Sequence, residues 1–377
     1  MQLHLKRRSI SKQSILLFLI LLFSYLLFSA PAFSQNYKKI SFDSLVRLEN
    51  RVESIPGLAF AYDDFDMPMS LLTGDVKGRV KAYDPNTNKL IWQSKLKSGI
   101  NAIATIGKGK NTQIVVAGAN GLASLLNKQG KEIANFFPDS FQDTIITISV
   151  TENREYGGKK IIFGTVNGAL TICSLPPTTP CRFVKLFDFP IDHLAIDPGT
   201  GDIYGSSLDK IFRFNYLSPA KGSEIIKSLS SQDWAYDLSN IAYNFKHRVI
   251  TLAHGNSLKI LSLDDGKTLF NFTLQDPLIR INQIINLSQG DLIMTVGESD
   301  ERKLSISIYN LTNGQVHLPQ PISLGLDNLQ ISSRLLLSED QGFAAITSMS
   351  VAGYILSFGS PRSQLYLGRT SELGFFK

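Results

Sequence analysis

Carboxylates that could bind a cation are concentrated in one short stretch, YDDFDMP, at residues 62–68. Asp63, Asp64 and Asp66 supply the hard oxygen ligands that calcium prefers. The stretch lacks the central glycine and the distal glutamate of a calcium-binding loop. The pattern therefore favours a solvated connection between two strands, and the sequence predicts no metal ligand.

Histidines are a second source of metal ligands or proton carriers. The chain has five of them, namely His4, His193, His247, His254 and His317. None of their spacings is typical of metal ligands, which favours surface or hydrogen-bonded roles. The stretch GKGKNT at residues 107–112 fails the spacing of a phosphate-binding loop, and no G-x-S-x-G nucleophile motif occurs. The sequence therefore predicts no catalytic residue and no cofactor.

Two cysteines, Cys173 and Cys181, enclose the proline-rich stretch SLPPTTP. Prolines exclude a helix or a central strand there, so the stretch predicts a turn that places the cysteines opposite each other. We expect a structural disulfide, with two free buried thiols as the alternative, because the C-x-x-C spacing of redox enzymes is absent. An oxidising compartment outside the cytoplasm permits such a bridge.

The first 34 residues have the pattern of a secretory signal peptide. Four basic residues precede the apolar run at residues 15–28, and small residues around Ala32 and Ser34 offer cleavage sites. The run has about 14 residues, fewer than the roughly 20 that a spanning helix needs, although an uncleaved anchor remains the alternative. We therefore expect an exported protein, periplasmic or extracellular, without a membrane span after cleavage.

The formal charge of +6 belongs largely to this leader. The chain has 38 basic and 32 acidic residues, and removing the four basic residues of the leader leaves 34 against 32. A nearly balanced folded part gives no basic face for nucleic acid.

Polar turns recur along the rest of the chain at a spacing of 42 to 48 residues, for example from 88 to 130 and from 130 to 178. Between them lie short runs rich in β-branched and aromatic residues, such as TQIVVAGA and RVITLAH. A period of this length fits four short antiparallel strands per unit. The pattern predicts an all-β fold, a β-propeller of seven four-stranded blades over residues 57–377, with a β-sandwich array as the alternative. Residues 35–56 form a separate N-terminal segment, in which we expect a short helix at Ser41–Ser54.

The stretch AYDPNTNKLIW resembles the repeat of the pyrroloquinoline-quinone-like propellers, and the chain as a whole resembles propellers of the WD type. Ala82, Asp84, Thr87 and Trp92 match the family pattern. Asn88 replaces a glycine, which is tolerable because Asn accepts a positive φ. The resemblance implies a hairpin built by Asp84 and Asn88, and a tryptophan that docks between neighbouring blades. It implies the scaffold and not quinone chemistry, because the adjacent cysteines of those enzymes are absent.

The connections between the second and third strands of each unit should lie together on one face, where loops on a rigid scaffold concentrate recognition. The candidate partner-binding residues on these connections are Asp75, Lys77, Asn120, Asn167, Asp209, His254, Asn256, Glu298 and Arg302. Solvated turns use the same residue types without binding anything.

Two functions fit these patterns. The first is a non-enzymatic scaffold or accessory subunit of the periplasm or cell envelope that binds another protein. The chain is similar in size and repeat style to the propeller lipoproteins of bacterial outer-membrane assembly, from which it departs by lacking the lipid-acceptor cysteine and by having seven predicted blades where they have eight. The alternative is an enzyme (a quinoprotein-like oxidoreductase, a lyase or a hydrolase) with its active site at the axial channel.

Overall fold

The computed structural model describes parts of the chain between residues 44 and 369, and residues 1–43, which include the predicted leader, lie outside the described residues. The described ranges are 44–53, 55–138, 140–152, 158–177, 179–215, 222–229, 241–254, 257–273, 278–286, 292–299, 304–310, 316–321, 334–337, 343–350 and 362–369. Within them, no helix is long and apolar enough to cross a membrane.

Five four-stranded antiparallel sheets follow one another along the chain, each with its strands in sequence order. Sheet I contains β2 (Gly57–Tyr62), β3 (Pro68–Gly74), β4 (Arg79–Tyr83) and β5 (Leu90–Lys95). Sheet II contains β6 (Ile100–Ile106), β7 (Gln113–Gly118), β8 (Ala123–Asn127) and β9 (Glu132–Asn135), with a 3-10 turn at Gly109–Asn111. Sheet III contains β10 (Ile145–Thr151), β11 (Lys160–Thr165), β12 (Ala169–Ser174) and β13 (Arg182–Lys185). Sheet IV contains β14 (His193–Ile196), β15 (Ile203–Ser207), β16 (Lys210–Phe214) and β17 (Ser223–Ser228). Sheet V contains β18 (Ile241–Asn244), β19 (Val249–His254), β20 (Ser257–Ser262) and β21 (Thr268–Thr273).

Two further sets of four strands are described mainly by their backbone pairing. Sheet VI contains β22 (Leu278–Asn286), β23 (Leu292–Ser299), β24 (Leu304–Asn310) and β25 (Val316–Pro321). Sheet VII contains β26 (Arg334–Leu337), β27 (Phe343–Ser350), β28 (Arg362–Arg369) and the first of the described strands, β1 (Ser44–Glu53).

Adjacent residues of the middle strands face different neighbouring sheets, because successive side chains of a strand point to opposite faces. In β7, Ile114 packs into a cluster shared with sheet I, and Val115 packs into one shared with sheet III. In β11, Ile161 packs towards sheet II and Ile162 towards sheet IV. Burial on both faces explains why these strands read as continuous apolar runs. The protein is all-β, built from four-stranded antiparallel sheets of the kind that form propeller blades.

Side chains on the first strand of sheet II bind the first strands of both neighbouring sheets. The hydroxyl of Thr105 in β6 donates to the carbonyl of Phe60 in β2 at 2.9 Å. The amide of Asn101, also in β6, donates to the carbonyl of Ile145 in β10 at 2.8 Å. These bonds satisfy carbonyls on the edge strand of each sheet, where no further strand pairs.

The helix predicted at Ser41–Ser54 is wrong, because Ser44–Glu53 form β1 and pair antiparallel with β28. Its apolar residues Val46, Leu48 and Val52 stand at even spacings, which fit a strand as well as one side of a helix. Local propensity is a weak preference that a distant pairing partner overrides. The predicted N-terminal segment 35–56 thus contributes a strand to sheet VII.

Candidate partner-binding surface

The turn between β3 and β4 is held by the carboxylate of Asp75. Its Oδ1 accepts the backbone amides of Lys77 at 3.0 Å and Arg79 at 2.9 Å, and its Oδ2 accepts from the Arg79 guanidinium. Asp75 is only 5% exposed. Its side chain therefore fixes the turn instead of facing a partner.

In sheets I to IV, the turn between the second and third strands is also bonded to a connection between sheets. The Gly78 carbonyl accepts from the amide of Leu96 at 2.8 Å, and the amide of Ala119 donates to the carbonyl of Gly99 at 3.0 Å. The connection at residues 96–99 thus joins the turns of sheets I and II. Further along the chain, the amide of Gly121 donates to the carbonyl of Asp143 at 3.0 Å.

The same pattern continues through sheets III and IV. Val166 N donates to the Thr144 carbonyl at 2.9 Å, and Ile191 N donates to the Thr165 carbonyl at 3.1 Å. Leu229 N donates to the Asp209 carbonyl at 2.8 Å. We call the surface formed by turns 75–78, 119–122, 166–168 and 208–209, together with connections 96–99, 136–138, 140–144 and 186–192, the turn face. Backbone hydrogen bonds tie each of these turns to a connection between sheets.

The structure places three of the predicted partner-binding side chains in exposed positions on the turn face, namely Lys77, Asn120 and Asn167. Asn167 donates to the Asp143 carboxylate at 2.9 Å, and Asp209 is half-buried. The predictions at Asn256 and Arg302, and for the side chains of His254 and Glu298, fall outside the described residues.

Exposed apolar residues on the turn face were missed from the sequence. Val76 is 40% exposed, Val166 39%, Phe189 49% and Leu208 44%. Turn tips usually carry polar residues. The valines in DVKG and TVNG are therefore the sequence feature that could have indicated exposed apolar residues on this face. The Phe189 carbonyl accepts from the hydroxyl of Ser207 at 3.2 Å, which holds Phe189 beside the turn of Leu208.

Leu208 has a φ of 53°, in the left-handed region that glycine and asparagine favour. A γ-branched side chain there carries a strain of roughly 1–2 kcal/mol. The residue is exposed, so the packing of a core does not account for its identity. Strain of this kind concentrates at functional sites.

The hairpin at Asp84–Asn88 is organised by one carboxylate. Asp84 Oδ1 accepts the amide of Asn86 at 2.8 Å, and Oδ2 accepts the hydroxyl of Thr87 at 2.9 Å. Asn88 has a φ of 59°. Partial burial raises the pKa of Asp84, but the hydrogen bonds from Asn86 and Thr87 outweigh it and hold the pKa below its ordinary value.

Trp92, on the outermost strand of sheet I, lies against the hairpin of sheet II. Its indole N–H donates to the Lys128 carbonyl at 2.9 Å, and the neighbouring Ser94 hydroxyl donates to the Gly130 carbonyl at 2.6 Å. The ring also packs on a cluster that both sheets supply. These contacts make Trp92 a structural residue at the seam between two sheets.

The disulfide between Cys173 and Cys181 is confirmed. It links β12 to the residue that precedes β13, so it closes the hairpin at the outer side of sheet III. Cys173 is buried at 1% exposure in the cluster between sheets II and III.

Within the described ranges, no group of three or more His, Cys, Asp or Glu side chains is arranged to hold a metal ion. The chain matches no protein-family model and no curated protein.

Proposed function

We propose that this chain is an exported seven-bladed β-propeller that binds another protein through its turn face and works as a scaffold or accessory subunit of the periplasm or cell envelope. In this proposal it acts by binding and not by catalysis. The turn face supports it because its backbone is rigid and its exposed tips mix apolar and polar side chains, the composition of a binding patch on a soluble domain.

The blade count is supported by how β1 is used. It supplies the fourth strand of sheet VII by pairing with β28. Leu48 of β1 packs against a cluster that contains Phe60 and Leu71 of sheet I and Ile55, which precedes that sheet. In a closed ring the first and last sheets must meet, and a strand shared between the chain termini is a way to fasten them.

Export is supported by the bridge between Cys173 and Cys181. Structural disulfides persist in oxidising compartments and are rare in the cytosol. The leader pattern at residues 1–34 gives independent support from the sequence.

The observation that carries the proposal is Leu208. It is a large apolar residue, 44% exposed, at a backbone conformation where glycine would be more stable. Val166 lies at the tip of the neighbouring turn, and Phe189 on the connection between the two. Such a strip is a suitable centre for a protein interface, where apolar and aromatic anchors dominate the binding energy.

The test compares two asparagine variants of the full exported chain. Leu208→Asn keeps the left-handed conformation accessible and removes the apolar contact. Leu90→Asn makes the same change at a comparably exposed leucine, 51% exposed, on an outermost strand. The proteins that co-purify with each variant are identified by mass spectrometry, and the binding of the purified partner is then measured.

We expect Leu90→Asn to retain the partner and Leu208→Asn to lose at least about tenfold in affinity, the size expected for a buried anchor. The proposal is wrong if both variants bind equally. It is also wrong if the pure protein has no partner and turns over a small molecule.

A further inference from the structure

The most exposed large apolar residue in the described part of the chain is not on the turn face. Phe65 is 85% exposed, and Met67 two residues later is 49% exposed. Both lie in the turn between β2 and β3, at the end of β3 opposite the turn that begins with Asp75. We call residues 63–67 the acidic tip.

The acidic tip is held in one conformation by its own hydrogen bonds. Asp63 Oδ1 accepts the backbone amides of Phe65 at 2.8 Å and Met67 at 2.9 Å. The backbone amide of Asp63 donates to the Met67 carbonyl at 2.9 Å. Asp66 has a φ of 65°, which Asp tolerates better than most residues. The exposed phenyl ring is thus carried on an ordered turn.

A neighbouring turn of sheet II supports the acidic tip from one side. Lys108 forms an ion pair with Asp66. The Asp64 carboxyl group lies close to Gly109, within 2.5 Å of where a Cβ on that residue would stand, and Gly109 has a φ of 56°, which favours glycine there. These contacts leave the aromatic ring on the solvent side, although a ring of this size is usually buried.

We propose that the acidic tip is a second protein-binding element, in which Phe65 inserts into an apolar pocket of a partner whose rim carries lysine or arginine. An aromatic side chain on a turn that is already ordered before binding loses little conformational entropy when the partner binds. The tip carries the carboxylates of Asp63, Asp64 and Asp66 against the two ammonium groups of Lys108 and Lys110, which leaves a net negative charge. The carboxylate of Asp64 is exposed next to Phe65 in the chain, so the tip matches a basic rim. The same carboxylates oppose an anionic membrane surface.

This surface is independent of the turn face. The seven residues of β3 separate Phe65 from Val76 by about 23 Å at roughly 3.3 Å per residue. Two partners could therefore bind at the two ends of one sheet without competing. The loss of one interaction would leave the other measurable.

The test starts with a photoreactive crosslinker at position 65 in cells that export the full chain. The crosslinked protein is identified and purified, and its crosslinked peptide is located on its structure. We expect that peptide to line an apolar pocket with a basic rim. A crosslink confined to lipid, or no crosslinked protein, would overturn the proposal.

Affinities for the purified partner are then compared among variants. Phe65→Ala should weaken binding by about 30-fold, the loss typical of an interface hot spot. Phe183→Ala is the matched control, since Phe183 is also exposed, at 54%, but lies on β13. This variant should bind the partner with the affinity of the wild type. Equal affinities for Phe65→Ala and Phe183→Ala would refute the role of Phe65.

The charge of the tip is tested separately. Asp64→Asn should weaken binding by about 3-fold or more and flatten its dependence on salt, because a rim charge acts mainly through screened attraction. Binding to vesicles of pure phosphatidylcholine or of phosphatidylcholine with phosphatidylglycerol should be absent. Vesicle binding that Phe65→Ala abolishes would assign the tip to a membrane instead. Leu208→Asn should still bind the partner of the acidic tip. This result would distinguish the binding at the acidic tip from the binding at the turn face.

Discussion

Trp92 and Gly130 touch across the seam between sheets I and II. A Cβ at position 130 would stand 2.4 Å from Cε3 of the indole, and Gly130 has a φ of 78°. Close approach and backbone conformation therefore both require glycine at this position. The contact fixes the outermost strand of one sheet to the hairpin of the next.

Gly130→Ala should lower the free energy of unfolding by about 3 kcal/mol. The added methyl group carries the cost of a left-handed alanine, about 1 kcal/mol, and the cost of displacing the Trp92 ring, about 2 kcal/mol. Urea unfolding measures the change. Gly158→Ala is the control, because its φ is 81° and no described atom lies within 4 Å of its added Cβ. Similar losses for the two variants would mean that the Trp92 contact contributes little.

Asp84 should make stability depend on pH in the acid range. Its pKa in the folded protein is lower than the ordinary 3.8, so its contribution is complete above that pH and is lost as pH falls through the folded pKa. Asp84→Asn keeps a side-chain oxygen for the turn and removes this titration. We expect the stability difference between wild type and Asp84→Asn to shrink between pH 5 and pH 2. A difference that stays constant over this range would contradict the assignment.

Removal of the disulfide should lower the free energy of unfolding by about 2.5 kcal/mol, the chain-entropy value for a loop of this size. The bridge spans a sequence separation of 8 residues. The double variant Cys173→Ala/Cys181→Ser shows the change in urea unfolding. A reducing agent should destabilise the wild type to the same degree and leave the variant unaffected. Sensitivity of the variant to the reducing agent would indicate another cause.

Leu208→Gly should be more stable than Leu208→Ala by about 1 kcal/mol, the reverse of the usual order, because only glycine relieves the positive φ. Leu269 offers the comparison. It is 48% exposed on β21, where alanine should be the more stable substitution. Thermal unfolding of the four variants tests both signs. If the alanine variant is more stable than the glycine variant at both positions, Leu208 is not strained, and the argument for Leu208 fails.

The features that were predictable from sequence are those set by neighbouring residues. The turn at Asp84 and the bridge between Cys173 and Cys181 each follow from a short local pattern. The turn motif at Asp84 does not indicate which two strands of a sheet it connects, because it occurs a second time at a different place in a sheet. AIDPGTG at residues 195–201 matches the first seven positions of the family repeat, and Asp197 Oδ1 accepts the amide of Gly199 at 2.8 Å as in such a turn. It joins the first and second strands of sheet IV, whereas Asp84 begins the connection between the third and fourth strands of sheet I.

The features that sequence missed depend on distant partners or on exposure. The conformation of β1 is decided by β28, which no local window contains. Asp75 was predicted to face a partner, but its carboxylate turns inwards to the amides of Lys77 and Arg79. Phe65 stands in a stretch that reads as a solvated loop. Its exposure comes from how Asp63 closes the turn.

The pairing of Ser44 with Arg369 sets the timing of assembly. Ribosomes synthesise β1 before the other described strands and β28 after them, so the nascent chain holds an unpaired strand edge until β28 has emerged. A contact between residues so distant in sequence also slows the folding rate. In an exported protein the last strand must cross the membrane before sheet VII can form. If the proposed export is correct, we expect the chain to be most vulnerable to proteolysis and aggregation between translocation and the pairing of β1 with β28.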